Sequence, residues 1–98
     1  MRLSVIIPVY NGAGFLRRSL AALARSTYRD YELLVADDGS TDDSAAVARA
    51  AGARVLPLAG PGGPARARNH AARAASGEVL FFVDADVCVH PDTLARVA

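Results

Sequence analysis

The sequence predicts an α/β fold, a Rossmann-like parallel sheet with helices on both faces. Three observations carry this. Four short apolar segments, Leu3–Val9, Tyr31–Ala36, Arg54–Leu58 and Val79–Val83, have the length and residue types of strands. The stretches between them are alanine-rich or carry leucines at helical spacing. Gly, Pro, Asn and Asp cluster at the junctions. The order βαβαβαβ, with the start of a helix after it, implies parallel strands joined by crossover helices.

Leu3-Ser4-Val5-Ile6-Ile7-Pro8-Val9 reads as a buried first strand, and Pro8, which cannot donate to a ladder, should end its regular pairing. Tyr10-Asn11-Gly12 then turns the chain, with Asn11 placed to cap a helix over Gly14–Arg25. Leu16, Leu20 and Leu23 form one stripe of that helix. The second strand, Tyr31–Ala36, ends in Asp37-Asp38-Gly39, after which Ser40 or Thr41 should cap an alanine-rich helix that stops at Gly52. Arg54–Leu58 is a short strand that Pro57 makes peripheral. Ala59-Gly60-Pro61-Gly62-Gly63 is a loop, and Pro64 starts a helix running from about Ala65 to Ala75. Val79–Val83, bounded by Gly77 and by acids, is expected to be a strand buried on both faces. His90-Pro91-Asp92-Thr93-Leu94 begins a last helix.

A chain of 98 residues is one domain at most. Its 52% hydrophobic and 21% charged residues place it among globular chains. A net charge of +1 argues against a dedicated nucleic-acid binder. Every basic residue is arginine, and the single cysteine, Cys88, permits neither an internal disulfide nor a zinc cluster. That fits a reducing compartment. No apolar run approaches the roughly 20 residues that cross a bilayer.

Ligands of open α/β sheets bind outside the carboxyl ends of the strands, and the informative residues lie there. Pro8-Val9-Tyr10-Asn11 follows the first strand, Asp37-Asp38-Gly39-Ser40 the second, and Asp84-Ala85-Asp86 the fourth. In an extended chain Asp84 and Asp86 point the same way, and two carboxylates in one small volume call for a hard cation such as Mg²⁺ or Mn²⁺. A metal-bound nucleotide suits that edge. Tyr10 can stack on a base, Asp38 can accept from a base N–H, Asp84 from a ribose hydroxyl, and Asp86 can hold the cation. Against this stand plainer readings: two solvated acids at a strand end, Tyr10 as a core residue, Arg68 as a surface arginine, and Asp37 as a turn cap, the reading favoured for Asp37.

Pro8-Val9-Tyr10-Asn11, Asp37-Asp38-Gly39-Ser40-Thr41-Asp42, Gly63-Pro64-Ala65-Arg66-Ala67-Arg68-Asn69 and Asp84-Ala85-Asp86 resemble, in order, the four motifs of family 2 glycosyltransferases, which have the GT-A fold. The resemblance runs from Leu3 to about Leu94. It implies a site for a nucleotide-diphosphate sugar (UDP-, GDP- or dTDP-linked) at Pro8, Tyr10, Asn11, Asp38, Gly63, Arg68, Asn69 and Asp84. It also implies a divalent cation on Asp86 and Asp84, and inverting transfer to an acceptor that the sequence does not identify. Ala71 stands where the family commonly has glycine, and Val87 where it often has a further acid.

Family members continue past the D-x-D strand into a half that supplies the acceptor site and the base that deprotonates the acceptor hydroxyl. No residue here is assigned to that base. Residues 1–98 are therefore expected to be the N-terminal, donor-binding part of a family 2 domain, inactive alone and cytoplasmic. Membrane association, at the inner face of the cytoplasmic membrane, would come only through further segments. The competing class is a non-catalytic nucleotide-sugar-binding module. A phosphoacceptor receiver domain needs a late lysine that the chain lacks, and a dinucleotide-binding domain needs G-x-G-x-x-G where the chain has Asn11-Gly12-Ala13-Gly14.

Overall fold

The structure, a computed structural model, describes residues 1–98. Four parallel strands, β1 (Leu3–Val9), β2 (Tyr31–Asp37), β3 (Arg54–Pro57) and β4 (Val79–Phe82), lie in the order β3-β2-β1-β4. The helices are α1 (Ala13–Ala24), α2 (Ser44–Ala50), α3 (Pro64–Ala74) and α4 (Thr93–Val97). The parallel α/β architecture with helices on both faces is thus present.

β1 is the interior strand, and all seven of its residues are buried. Its side chains alternate between two cores. Leu3, Val5, Ile7 and Val9 pack with Leu16, Leu20 and Leu23 of α1, Ala48 of α2 and Leu94 of α4. On the other face Ile6 joins Leu34, Ala36 and Leu56 beneath Ala67 and Ala71 of α3. Ala71 is wholly buried. Each fully buried leucine, isoleucine or valine contributes about 1.5–3 kcal/mol.

β1 passes through Pro8 and pairs with β2 as far as Val9–Asp37. The hydrogen bonding shows why proline is tolerated. The Val83 N–H donates to the Ile6 carbonyl and the Asp38 N–H to the Val9 carbonyl, both at 2.9 Å. Even-numbered residues of β1 therefore address β4 and odd-numbered ones β2. Pro8 lacks an N–H only toward β4, whose pairing has already ended at Ile6–Phe82.

Two expectations are corrected. β4 is not buried on both faces: Leu80 is 41% and Phe82 44% exposed. β4 has a single neighbour, β1. Leu80 and Phe82 share the face of Ser4 and Ile6, and α3 packs there mainly across β1 and β2. Nor is the Asp84–Asp86 stretch extended. The strand stops at Phe82, and the Val87 N–H returns to the Asp84 carbonyl at 3.0 Å, so Asp84 and Asp86 sit in a turn rather than on one face of a strand.

The caps also differ from expectation. Asn11, at φ 49°, does not cap α1. Its Oδ1 accepts from the N–H groups of Thr41 at 2.8 Å and Asp42 at 3.3 Å, while its own N–H donates to Ser40 Oγ at 2.9 Å. In return, Asp42 Oδ2 accepts from the Ala13 N–H at 3.1 Å and Oδ1 from the Ser44 N–H at 2.9 Å. Asp42, rather than Ser40 or Thr41, serves the start of α2, and it serves α1 as well. The loops after β1 and β2 thus hold one another at the carboxyl edge. Gly52, at φ 84°, follows the end of α2 as expected.

Candidate functional site

The carboxyl ends of β1, β2 and β4 carry the expected residues on one rim. A cavity of about 210 Å³ is lined by Pro8, Val9, Tyr10, Asp38, Pro64 and Ala67. Tyr10 is 47% exposed, so it is not a core residue. A wider cavity of about 590 Å³ lies at the end of β4, with Arg68, Asp84, Val87 and His90 among its lining. Consecutive residues of α3, Ala67 and Arg68, face the two cavities and tie them together.

Asp38 is 4% exposed and fully engaged. The Gly62 N–H donates to both carboxylate oxygens at 3.0 Å, the Gly63 N–H to Oδ2 at 2.8 Å, and Arg66 Nη2 to Oδ1 at 2.9 Å. Arg66 Nη2 also donates to the Ala59 carbonyl at 2.6 Å. Burial pushes the Asp38 pKa up, but the hydrogen bonds from Arg66, Gly62 and Gly63, with the Arg66 charge, outweigh it and hold the group below the usual carboxylate range. The loop before α3 is folded directly onto Asp38. A Cβ at Gly60 would meet the Asp38 carbonyl oxygen at 2.4 Å, so this position requires glycine.

Arg68 Nη2 donates to Asp84 Oδ1 at 2.9 Å. Arg66 and Arg68 are two helix positions apart, about 200° around the axis. One can therefore reach Asp38 while the other reaches Asp84. Arg66 is a site residue that the sequence reading does not single out. The R-A-R pattern just after a proline helix start is the signal that could have marked it. Asp37 accepts from the Ser40 N–H at 3.0 Å, the turn-capping role favoured for it.

Asp86 is exposed and engages no other side chain. Asn69 is exposed and lines neither cavity. Gly63, at φ 97°, contributes its N–H to Asp38. Asn11 is committed to the Ser40–Asp42 loop. No three His, Cys, Asp or Glu side chains converge on a possible metal position. Carboxylate oxygens such as those of Asp84 and Asp86 are the donor type a hard cation takes alongside water and substrate phosphates.

Fold and rim define a Rossmann-like α/β domain with a ligand crevice at the carboxyl ends of its strands. More narrowly, the chain belongs to glycosyl transferase family 2, whose model matches residues 4–98. It is 41% identical over 111 aligned positions to a validoxylamine A glucosyltransferase of Streptomyces hygroscopicus, covering 97% of this chain and 24% of that protein. Staphylococcus aureus TarS 1–349 in complex with UDP-GlcNAc superposes with a TM-score of 0.91 at 34% identity, covering 99% of this chain and 30% of that one. A mannosyltransferase, PcManGT from Pyrobaculum calidifontis, in complex with GDP-Man and Mn²⁺, gives 0.88 at 30% identity, covering 95% and 30%. These neighbours share the GT-A fold. The chain spans 16–32% of the length of the curated relatives it matches.

Proposed function

We propose that this chain binds the nucleotide-diphosphate sugar of an inverting, metal-dependent glycosyl transfer, with the complete catalytic apparatus belonging to a whole protein of the family's length. The observation that carries the reading is the row of groups along the rim beside the start of α3. An exposed aromatic ring and a buried, ionised carboxylate flank one cavity, and the Arg68–Asp84 pair lies at the next. The structures bound to UDP-GlcNAc and GDP-Man support a donor of this class.

Tyr10 lies against the base, and Asp38 receives a base N–H in place of the hydrogen bond that the half-exposed Arg66 side chain now donates to its Oδ1. Asp84 receives a ribose hydroxyl, with Arg68 keeping its carboxylate oriented beforehand. Pro8 lines the smaller cavity, Gly63 holds the Asp38 carboxylate, Asn11 holds the Ser40–Asp42 loop at the rim, and the exposed Asn69 is free to reach a bound donor. Asp86, with Asp84, would hold a divalent cation, which when bound would neutralise charge on the departing diphosphate. In the transfer, the acceptor hydroxyl oxygen bonds to the anomeric carbon as the bond to the diphosphate breaks, and the hydroxyl proton passes to a base outside the residues assigned here. Inversion follows from that single displacement.

Isothermal titration with UDP tests the reading. Binding should require Mn²⁺ or Mg²⁺, should be lost in Asp86→Ala, and should weaken about tenfold in Tyr10→Ala as the stacking surface is removed. Affinity that is independent of metal and unchanged in Asp86→Ala would overturn the metal assignment. Absence of nucleotide binding would overturn the donor site.

A further inference from the structure

The opposite end of the sheet carries an unbalanced charge. Helices of a parallel α/β unit run back from the carboxyl edge, so their last turns lie with the strand starts. Six arginines gather there. Arg2 and Arg29 directly or closely precede β1 and β2, and Arg54 opens β3. Arg25 is the C-cap of α1, and Arg49 and Arg73 are in the last turns of α2 and α3. None of the six forms an ion pair. By contrast Arg17, Arg66, Arg68 and Arg96 each hold a carboxylate, and Arg18 lies over the Phe15 ring.

Three carboxylates belong to the same end, each engaged by groups other than the guanidinium of these arginines, though Glu32 also borders the groove that Arg2, Arg29 and Arg54 line. Asp30 lies 3.8 Å from the Met1 amine. Glu32 Oε2 accepts from Ser4 Oγ at 2.5 Å and the Ser76 N–H at 2.6 Å. Glu78 Oε1 accepts from the Arg2 backbone N–H at 3.2 Å. Six arginines against three acids leave an excess of three positive side-chain charges at this end, which the overall side-chain balance of +1 conceals.

The last turns of helices favour cations through the helix dipole, which accounts for Arg25, Arg49 and Arg73. It does not account for Arg2, Arg29 and Arg54, which lie outside helices. Those three, from separate segments, line one groove of about 460 Å³ with Tyr31, Glu32 and Gly52. We propose that this groove is an anion site for a phosphate group, distinct from the donor rim at the other end of the strands. Guanidinium forks bind phosphate oxygens in pairs of hydrogen bonds, and three of them suit a phosphomonoester or phosphodiester better than a carboxylate. A free phosphate compound and an anionic lipid headgroup share this chemistry.

The test uses the whole chain in two arms. Inorganic phosphate is titrated while backbone amides are followed by NMR. Sedimentation is measured with vesicles of phosphatidylcholine, with and without phosphatidylglycerol. The variant is Arg2→Gln/Arg29→Gln/Arg54→Gln, which changes exposed side chains only, and Arg68→Gln is the control at the donor rim. Phosphate should shift the Glu32, Leu33 and Gly52 amides in the parent chain and in Arg68→Gln. The triple variant should bind about tenfold or more weakly. Sedimentation that depends on phosphatidylglycerol and on the three arginines assigns the site to a lipid headgroup; a phosphate response without it assigns the site to a free anion. If phosphate leaves those amides unmoved and vesicle binding is the same in the triple variant, the site does not exist. Because the donor site is tested with UDP at the other edge, either proposal can fail alone.

Discussion

Gly77→Ala should be among the most damaging single-methyl additions in the chain. Gly77 sits between α3 and β4, where its N–H donates to Ser4 Oγ at 2.8 Å and to Glu32 Oε2 at 3.2 Å. A Cβ there would lie 2.5 Å from Ser4 Oγ, 2.7 Å from the Ser4 nitrogen and 2.8 Å from the Leu3 carbonyl carbon. The hydroxyl can rotate away, but the backbone atoms belong to the wholly buried start of β1 and cannot. Overpacking of this kind costs about 1–3 kcal/mol. Moving residue 77 off Ser4 also weakens two hydrogen bonds, one to a carboxylate, for roughly 1 kcal/mol more. A total of about 3 kcal/mol is a large share of a small domain's stability. It corresponds to a fall in Tm of roughly 12–24 °C for a domain of this size. Urea unfolding followed by circular dichroism measures it. The double variant Ser4→Ala/Gly77→Ala separates the two sources of the clash. Because the contacts to the Ser4 nitrogen and Leu3 carbon survive loss of the hydroxyl, the double variant should be no more stable than Gly77→Ala. If Ser4→Ala restores Gly77→Ala to within about 1 kcal/mol of Ser4→Ala alone, a coupling expected only of the side chain, the backbone argument is refuted.

Glu32→Gln should cost about 1 kcal/mol near neutral pH, discounted for the partial exposure of the group. Desolvation raises the Glu32 pKa, but hydrogen bonds from Ser4, Ser76 and Gly77 outweigh it, so the folded value lies below the usual one. The stabilisation is therefore complete above the unfolded carboxylate pKa and is lost as pH falls through the lowered folded value. The stability gap between parent and variant should close on acidification, and a gap independent of pH would show that the charge plays no part. Asp42→Ala should free the Ala13 and Ser44 N–H groups together, at a cost of about 1 kcal/mol. Hydrogen exchange at the Ala13 amide should accelerate; unchanged protection there would remove Asp42 as the cap of α1.

What could be read in the sequence and what could not divide along physical lines. Strand and helix identities rest on local signals: the β-branched run of β1, the Leu16-Leu20-Leu23 stripe, and Pro64 at the first position of α3. All of these appear in the structure within a residue or two. The rim residues were legible for the same reason, since ends of parallel strands share an edge whatever the strand order. Neighbours across the chain were not legible. The cage around Asp38 joins residues 24 to 28 positions apart, and the exchange between Asn11 and Asp42 spans about 30. An Asn before a helix looks like that helix's cap, because nothing local shows that another loop competes for its oxygen. The burial of β4 is set non-locally in the same way. Five apolar residues in a row describe a strand's composition, while burial depends on how many neighbours the strand has. Here β1, not β4, took the interior place, and the helix that covers the Ile6 face packs mainly on β1 and β2, which leaves Phe82 44% exposed. The same logic separates Arg66 from Arg68. Both lie in one motif, yet the turn of α3 sends one to the buried carboxylate after β2 and the other to the exposed carboxylate after β4. A motif thus fixes which groups reach the rim, and the phase of the helix fixes which of them is available to a ligand.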